Sequence, residues 1–231
     1  IKPIASIFYP KPVWVRTLDA RTDEFRNLNG GEDEPIESNP MLGWHGIRRS
    51  LDEPALIRTE LTATTAWWRA HLSVCDASVC HISRKDIKSK QICRQDFSKL
   101  DEKIGIMVET PSAVMIIEDI YNEVISFVSF GTNDLTHLVL GIDRNNERWA
   151  KLSSVYHPAV LQCIKMVIDV CNRFEVETSI CGESGSQSEM AQILVRYGIK
   201  SISCNRDAIE TISTTVFEEE QRLDKTKEKV G

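Results

Sequence analysis

Short runs of unbroken apolar character constrain this chain more than any other feature: "IGIMVE" (104–109), "ISFVSFG" (125–131), "ETSICG" (177–182) and "SISC" (201–204). Continuous rather than alternating hydrophobicity marks a strand covered on both faces, which is the situation in a parallel sheet whose crossovers are helices. "PVWVRT" (12–17) reads the same way. The segments between the runs carry helical spacing. In "PAVLQCIKMVIDVCNRF" (158–174) Val160, Ile164, Val167, Ile168 and Cys171 fall on one stripe, and Pro158 suits the first helical position. In "SEMAQILVRYGI" (188–199) Ser188 is the expected N-cap and Gly198 the expected stop. The alternation predicts an α/β architecture of repeated β-α units. His157, just before Pro158, reads as a capping or loop residue, and His137 as a helix-surface or core histidine.

At 231 residues and 42% hydrophobic content the chain can bury a substantial core, as one large domain or two small ones. A net charge of -6 with dispersed Lys and Arg argues against nucleic acid and anionic membrane surfaces as partners. No apolar run approaches the roughly 18–20 residues of a membrane span. The opening "IKPIASIFYP" also lacks the order of a signal peptide, so a cytoplasmic protein is expected. Seven cysteines at irregular positions make a poor disulfide framework and should be reduced thiols. The chain opens in mid-pattern without a methionine, which reads as a piece of something longer. The last stretch, 216–231, reads as a charged, solvated helical tail that frays at its end.

From 62 to 100 the pattern fails, with no sustained period of 2 or 3.6, and so long an irregular run inside a compact domain argues against a simple element assignment. Within it "SVCDASVCHIS" (73–83) sets Cys75, Cys80 and His81 close together. Their spacing matches no common zinc pattern and a fourth ligand is missing. A Cys75–Cys80 disulfide is equally unsupported in a cytoplasmic chain.

Several strand ends are more polar than packing requires. Arg16 ends "PVWVR", Glu109 ends "IGIMVE", Asn133 and Asp134 follow "FVSFGT", and Cys181 with Glu183 ends "ETSICGE". A lone carboxylate at a strand end is usually a cap or a surface ion pair. Two carboxylates with an amide and an arginine, all at strand ends, point instead to a site, because active-site groups of parallel barrels project there. Glu109 and Asp134 are hard oxygen donors of the kind that bind Mg²⁺. Arg16 offers a planar fork for a phosphate or carboxylate, and Gly131 and Thr132 would present backbone N–H groups. Cys181 has two readings at this stage, a buried small hydrophobe or a proton donor and acceptor at an open pocket.

Taken together, "VWVRTLDARTDEFRNLNGGE", "EPIESNPMLGWHGIRRSLDEP", "GIMVETPSAV", "SFGTNDLTHLVLGIDRNNE", "HPAVLQCIKMVI" and "ICGESGSQSEMAQILVRYGIKSISCNRDAI" resemble the C-terminal phosphoenolpyruvate-binding barrel of the phosphoenolpyruvate synthases. That family is related to pyruvate phosphate dikinase and to enzyme I of the sugar phosphotransferase system. The resemblance covers about 1–61 and 103–215. It implies a (β/α)8 TIM-type barrel over 1–215 that makes phosphoenolpyruvate from pyruvate with a phosphoryl group carried on a histidine of a separate domain, charged by an ATP-grasp domain. Both partner domains would lie outside this chain. Residue by residue it makes Arg16 a substrate contact, Glu109 and Asp134 Mg²⁺ ligands that also meet substrate, and Gly131, Thr132 and Asn133 the lining of the substrate oxygens. Cys181 becomes the catalytic group that exchanges the proton at the methyl or methylene carbon. The implied activity is that of an ATP-dependent pyruvate, water dikinase, and this chain alone is expected to be inactive. Oligomeric state is left open, a homo-oligomer being allowed.

The chain departs from the family in three places. Trp44-His45-Gly46 stands where the family reads Trp-Arg-Gly, so a second substrate arginine is missing and phosphate binding should weaken. The first barrel strand would precede Ile1. The strand expected near 75–82, "VMLPFVT" in the family, is replaced by "VCDASVCHIS". Codons for Cys75 to Ile82 read one nucleotide later permit "VMLPFVT", so 62–100 is expected to be translated out of frame and the barrel to be incomplete. Two other readings remain: a Mg²⁺-dependent enolate-forming lyase on the same barrel, and an inactive remnant that only binds ligand or a partner.

Overall fold

The computed structural model describes residues 2–11, 13–65, 72–76, 103–121, 125–142 and 148–228. The chain divides into two units, Ile1–Ile106 and Met107–Gly231. In the first, β1 (Val13–Arg16) pairs in parallel with β2 (Leu72–Asp76), and β2 with the start of β3 (Lys103–Val108), whose last two residues belong to the second unit. The register sets Arg16 opposite Cys75 and Val74 opposite Ile104. The place of the strand expected near 75–82 is therefore taken by a paired strand a few residues earlier. Of the irregular stretch 62–100, only 62–65, which ends the helix Pro54–Thr65, and 72–76 belong to the described residues. Cys80, His81 and the rest of the out-of-frame expectation lie outside them.

The long connection between β1 and the helix Ile47–Asp52 holds only two short helical turns, Thr22–Phe25 and Pro40–Leu42, and is stitched largely by charged side chains. Glu37 accepts from the Thr22 hydroxyl at 2.8 Å and from the Trp44 amide at 2.9 Å. Arg49, buried, pairs with Glu34 and lies between the Phe25 and Trp44 rings, 4.4 and 4.2 Å from their centroids. A guanidinium stacked on aromatic faces and paired with a carboxylate is one of the few ways to bury an arginine.

In the second unit β4 (Phe127–Gly131), β5 (Glu177–Cys181) and β6 (Ser201–Ile202) pair in parallel in that order. Val128 and Phe130 of β4 and Ile180 of β5 are wholly buried, as the apolar runs require of strands covered on both faces. The helix Pro158–Arg173 buries the expected stripe Val160, Ile164, Val167, Ile168 and Cys171. Each of the Val and Ile side chains contributes roughly 1.5–3 kcal/mol by leaving water. Burial pushes the Cys171 thiol up to about 12, so it packs as an inert hydrophobe. His157 caps this helix, its Nδ1 accepting from the Ala159 amide at 3.2 Å.

The helix Ser188–Tyr197 starts one residue earlier than expected, with Gln187 in the cap position and Ser188 already helical, while Gly198 ends it in the left-handed conformation. The last helix, Ile209–Glu228, runs through the expected boundary at 215–216. It is less solvated than its charge suggests, because Ile212, Thr215 and Glu219 are buried on one side where it packs on Ser188–Tyr197. Among the described residues no helix is long and apolar enough to cross a membrane.

Candidate functional site

The polar groups of the second unit gather at the ends of β3, β4 and β5. Glu109 directly follows β3 and is 3% exposed. The chain turns at once into the helix Pro111–Met115, whose N-cap Thr110 accepts from the Ala113 amide at 3.2 Å. Burying a carboxylate is costly unless its surroundings compensate. Gly131, at the end of β4, makes room for this one: a Cβ there would overlap the Glu109 side chain, 2.8 Å from Cδ. The register then sets Gly131 beside Cys181 at the end of β5. The Cys181 thiol donates to the Phe130 carbonyl at 3.4 Å, and Gly182, at φ 83, turns the chain away after it.

Thr132, Asn133 and Asp134 form the first turn of the helix Thr132–Leu140, whose N-cap is Gly131. Thr132 is buried and shares a 2.9 Å hydrogen bond with the Ser184 hydroxyl, tying this helix start to the loop that follows Cys181. Asn133 is exposed and Asp134 half-buried. His137 of the same helix is half-buried. Ser184 was not picked out from the sequence, and a partner 52 residues away in the chain leaves no local signal.

Arg16 belongs to the first unit. Its side chain, 44% exposed, donates from Nη2 to Asp19 Oδ2 at 2.6 Å, and Asp19 is 11% exposed. The other oxygen of Asp19 lies 2.8 Å from His45 Nδ1, while His45 Nε2 lies 2.9 Å from the Met41 carbonyl oxygen. His45 is buried, with both ring nitrogens against protein acceptors. The Asp19 hydrogen bond holds its pKa above the ordinary value against the opposing effect of burial.

The donor set suits a hard cation. Carboxylate oxygens of the kind Glu109 and Asp134 carry are the usual protein donors to Mg²⁺. Among the described residues there is no cluster of three or more His, Cys, Asp or Glu that could hold a metal ion.

A family model described as "PEP-utilising enzyme, PEP-binding domain" matches residues 1–221. Phosphoenolpyruvate synthase of Pyrococcus furiosus is 51% identical over 227 residues, which is 96% of this chain and 28% of that protein. Probable phosphoenolpyruvate synthase of Methanocaldococcus jannaschii is 47% identical over 227 residues, covering 96% of this chain and 19% of its own length. The chain thus spans under a third of these relatives. Among solved structures, a citrate lyase from Burkholderia xenovorans aligns over 72% of this chain and 53% of its own, with a TM-score of 0.51 at 18% identity, a likeness of fold alone. This chain belongs to the PEP-utilising enzymes, whose PEP-binding domain it matches along almost its whole length.

Proposed function

We propose that the chain supplies the pyruvate and phosphoenolpyruvate pocket of a cytoplasmic phosphoenolpyruvate synthase, in a longer protein that carries the phosphohistidine and ATP-grasp domains. Closure of the parallel strands into a (β/α)8 barrel is part of the same reading. The observation that carries it is the buried Glu109 carboxylate, packed against Gly131 with Cys181 in register on the next strand. Glu109 and Asp134 would hold Mg²⁺, which when bound supplies positive charge opposite an oxygen that gains negative charge. The Arg16 guanidinium suits a phosphate or carboxylate in a bidentate fork. Gly131, Thr132 and Asn133 open a helix, where backbone N–H groups favour anionic oxygens.

Cys181 moves the proton. As thiolate its Sγ takes a proton from the pyruvate methyl, and the electron pair of that C–H bond passes to the carbonyl oxygen. The oxygen attacks the phosphorus on the carrier histidine, the P–N bond breaks, and its electrons stay with the imidazole. In reverse the thiol, the form that donates to the Phe130 carbonyl, returns the proton to the methylene carbon. Titration calorimetry with phosphoenolpyruvate should show saturable, Mg²⁺-dependent binding that disappears in Glu109→Ala and in Asp134→Ala. Unchanged binding in either variant overturns the metal assignment. Pyruvate methyl hydrogens should exchange with deuterium in the native chain and not in Cys181→Ala.

A further inference from the structure

We propose that His45 is a positioning residue for Arg16, fixing through Asp19 the direction in which that guanidinium meets an anionic substrate. The inference rests on the assignment of Arg16 as a substrate contact. Its own support is a continuous chain of short contacts: Arg16 Nη2 to Asp19 Oδ2 at 2.6 Å, Asp19 Oδ1 to His45 Nδ1 at 2.8 Å, and His45 Nε2 to the Met41 carbonyl at 2.9 Å. Both ring nitrogens face acceptors. A neutral imidazole has one N–H and can satisfy only one of them, whereas an imidazolium satisfies both. The two side chains are largely out of water, at 8% and 11% exposure, so the contact is charge-assisted and weakly screened.

Asp19 therefore has both oxygens engaged by cations, one fixed in the protein interior and one on an arginine that is 44% exposed. The buried end sets the carboxylate plane, and the plane sets where the guanidinium points. The groups whose charge bears on His45 are Asp19, from the loop after β1, and Arg48, from the helix that follows it; the first favours the imidazolium and the second opposes it. The next residue along, Trp44, has its amide held by Glu37 at 2.9 Å. The histidine thus takes over an inward task, with an outward consequence for Arg16.

The test uses the whole 231-residue chain and two independent readouts. The first is the ¹⁵N spectrum of the side chains. Both His45 ring nitrogens should show the imidazolium pattern at pH 6, and the Arg16 guanidinium signal should broaden or shift in His45→Ala and in Asp19→Asn. An Arg16 signal that ignores both variants overturns the proposal. The second is titration with phosphoenolpyruvate and Mg²⁺. His45→Ala should weaken binding about tenfold, the loss of one charge-assisted contact, and His45→Ala should add nothing once Arg16 is Ala. Additive losses overturn it. His45→Lys, which keeps a buried cation, should restore part of the affinity and remove its decline above neutral pH. If Arg16→Ala binds as well as the native chain, the substrate role of Arg16 fails, while the spectra still decide the link from His45 to Arg16. Asp19→Asn replaces the alanine variant if that variant does not fold.

Discussion

At the end of β1 charged side chains hold one another, whereas at the ends of β3, β4 and β5 a strand register, a glycine that leaves space and the neutral Thr132–Ser184 hydroxyl pair set the arrangement. Arg16, Asp19 and His45 form a line of charge-assisted contacts, each oriented by the next. Glu109 and Cys181 are placed instead by a glycine that leaves space, a strand register and a carbonyl acceptor. The first arrangement depends on protonation, and the second depends on volume. Mutations and pH should therefore act on the two regions in opposite proportion.

The largest expected effect is on volume. Phe130 is wholly buried, and its carbonyl holds the Cys181 thiol. Phe130→Ala should destabilise the chain by about 3–5 kcal/mol through lost burial and a cavity, measured by urea unfolding. A loss below about 1 kcal/mol would mean that this region relaxes freely and that the comparison fails on this side. Next, Gly131→Ala forces the Glu109 carboxylate to move or the strand end to shift. Overpacking of this kind costs about 1–3 kcal/mol. Mg²⁺-dependent ligand binding should fall further than stability does, because the side chain best able to yield is the proposed metal ligand. Equal losses in both would instead mark Gly131 as a packing position.

At β1 the lever is protonation. His45 has its pKa raised above an ordinary value of 6.5 by the Asp19 hydrogen bond first, against desolvation. A raised folded value means that the contribution is fully present below about 6.5 and is lost as pH rises through the folded value. Urea unfolding of the native chain at pH 6 and pH 9 should show lower stability at pH 9. Asp19→Asn should cost about 1–3 kcal/mol at pH 6 and make the decline with pH shallower. A decline as steep in Asp19→Asn as in the native chain would assign the pH dependence to some other group.

The two regions also differ in how far their residues could be read in advance. The strand ends of the second unit were legible because a covered strand leaves a continuous apolar run, and the first polar residue after such a run, Glu109 or Cys181, stands out against it. The 158–173 helix was legible for a related reason, since its buried stripe repeats at the helical period. β2 was not. Leu72–Asp76 sits in a stretch without period, and only its neighbours in the sheet give it a register. The Asp19–His45 contact spans 26 residues through a connection with no repeating pattern, so nothing local in the sequence announces it. In the final helix the buried side is set by Ile212, Thr215 and Glu219, spaced three and four apart, while most of the described residues after 215 stay exposed.

The smallest effect sharpens the comparison most, because it separates distance from environment. Arg173 and Glu118 of the second unit are also 2.6 Å apart, the same separation as Arg16 and Asp19, but their side chains are 60% and 56% exposed. In open water two long side chains lose conformational freedom to meet, and solvent screens most of the gain. Glu118→Ala should therefore change unfolding stability by less than about 0.5 kcal/mol, with no dependence on pH between 6 and 9. Asp19 differs not in how near its cations lie but in how little water reaches its own carboxylate and His45, at 11% and 8% exposure, with a backbone carbonyl holding the imidazole from behind. Should Glu118→Ala prove as costly as Asp19→Asn, burial would cease to explain why the β1 cluster can orient anything.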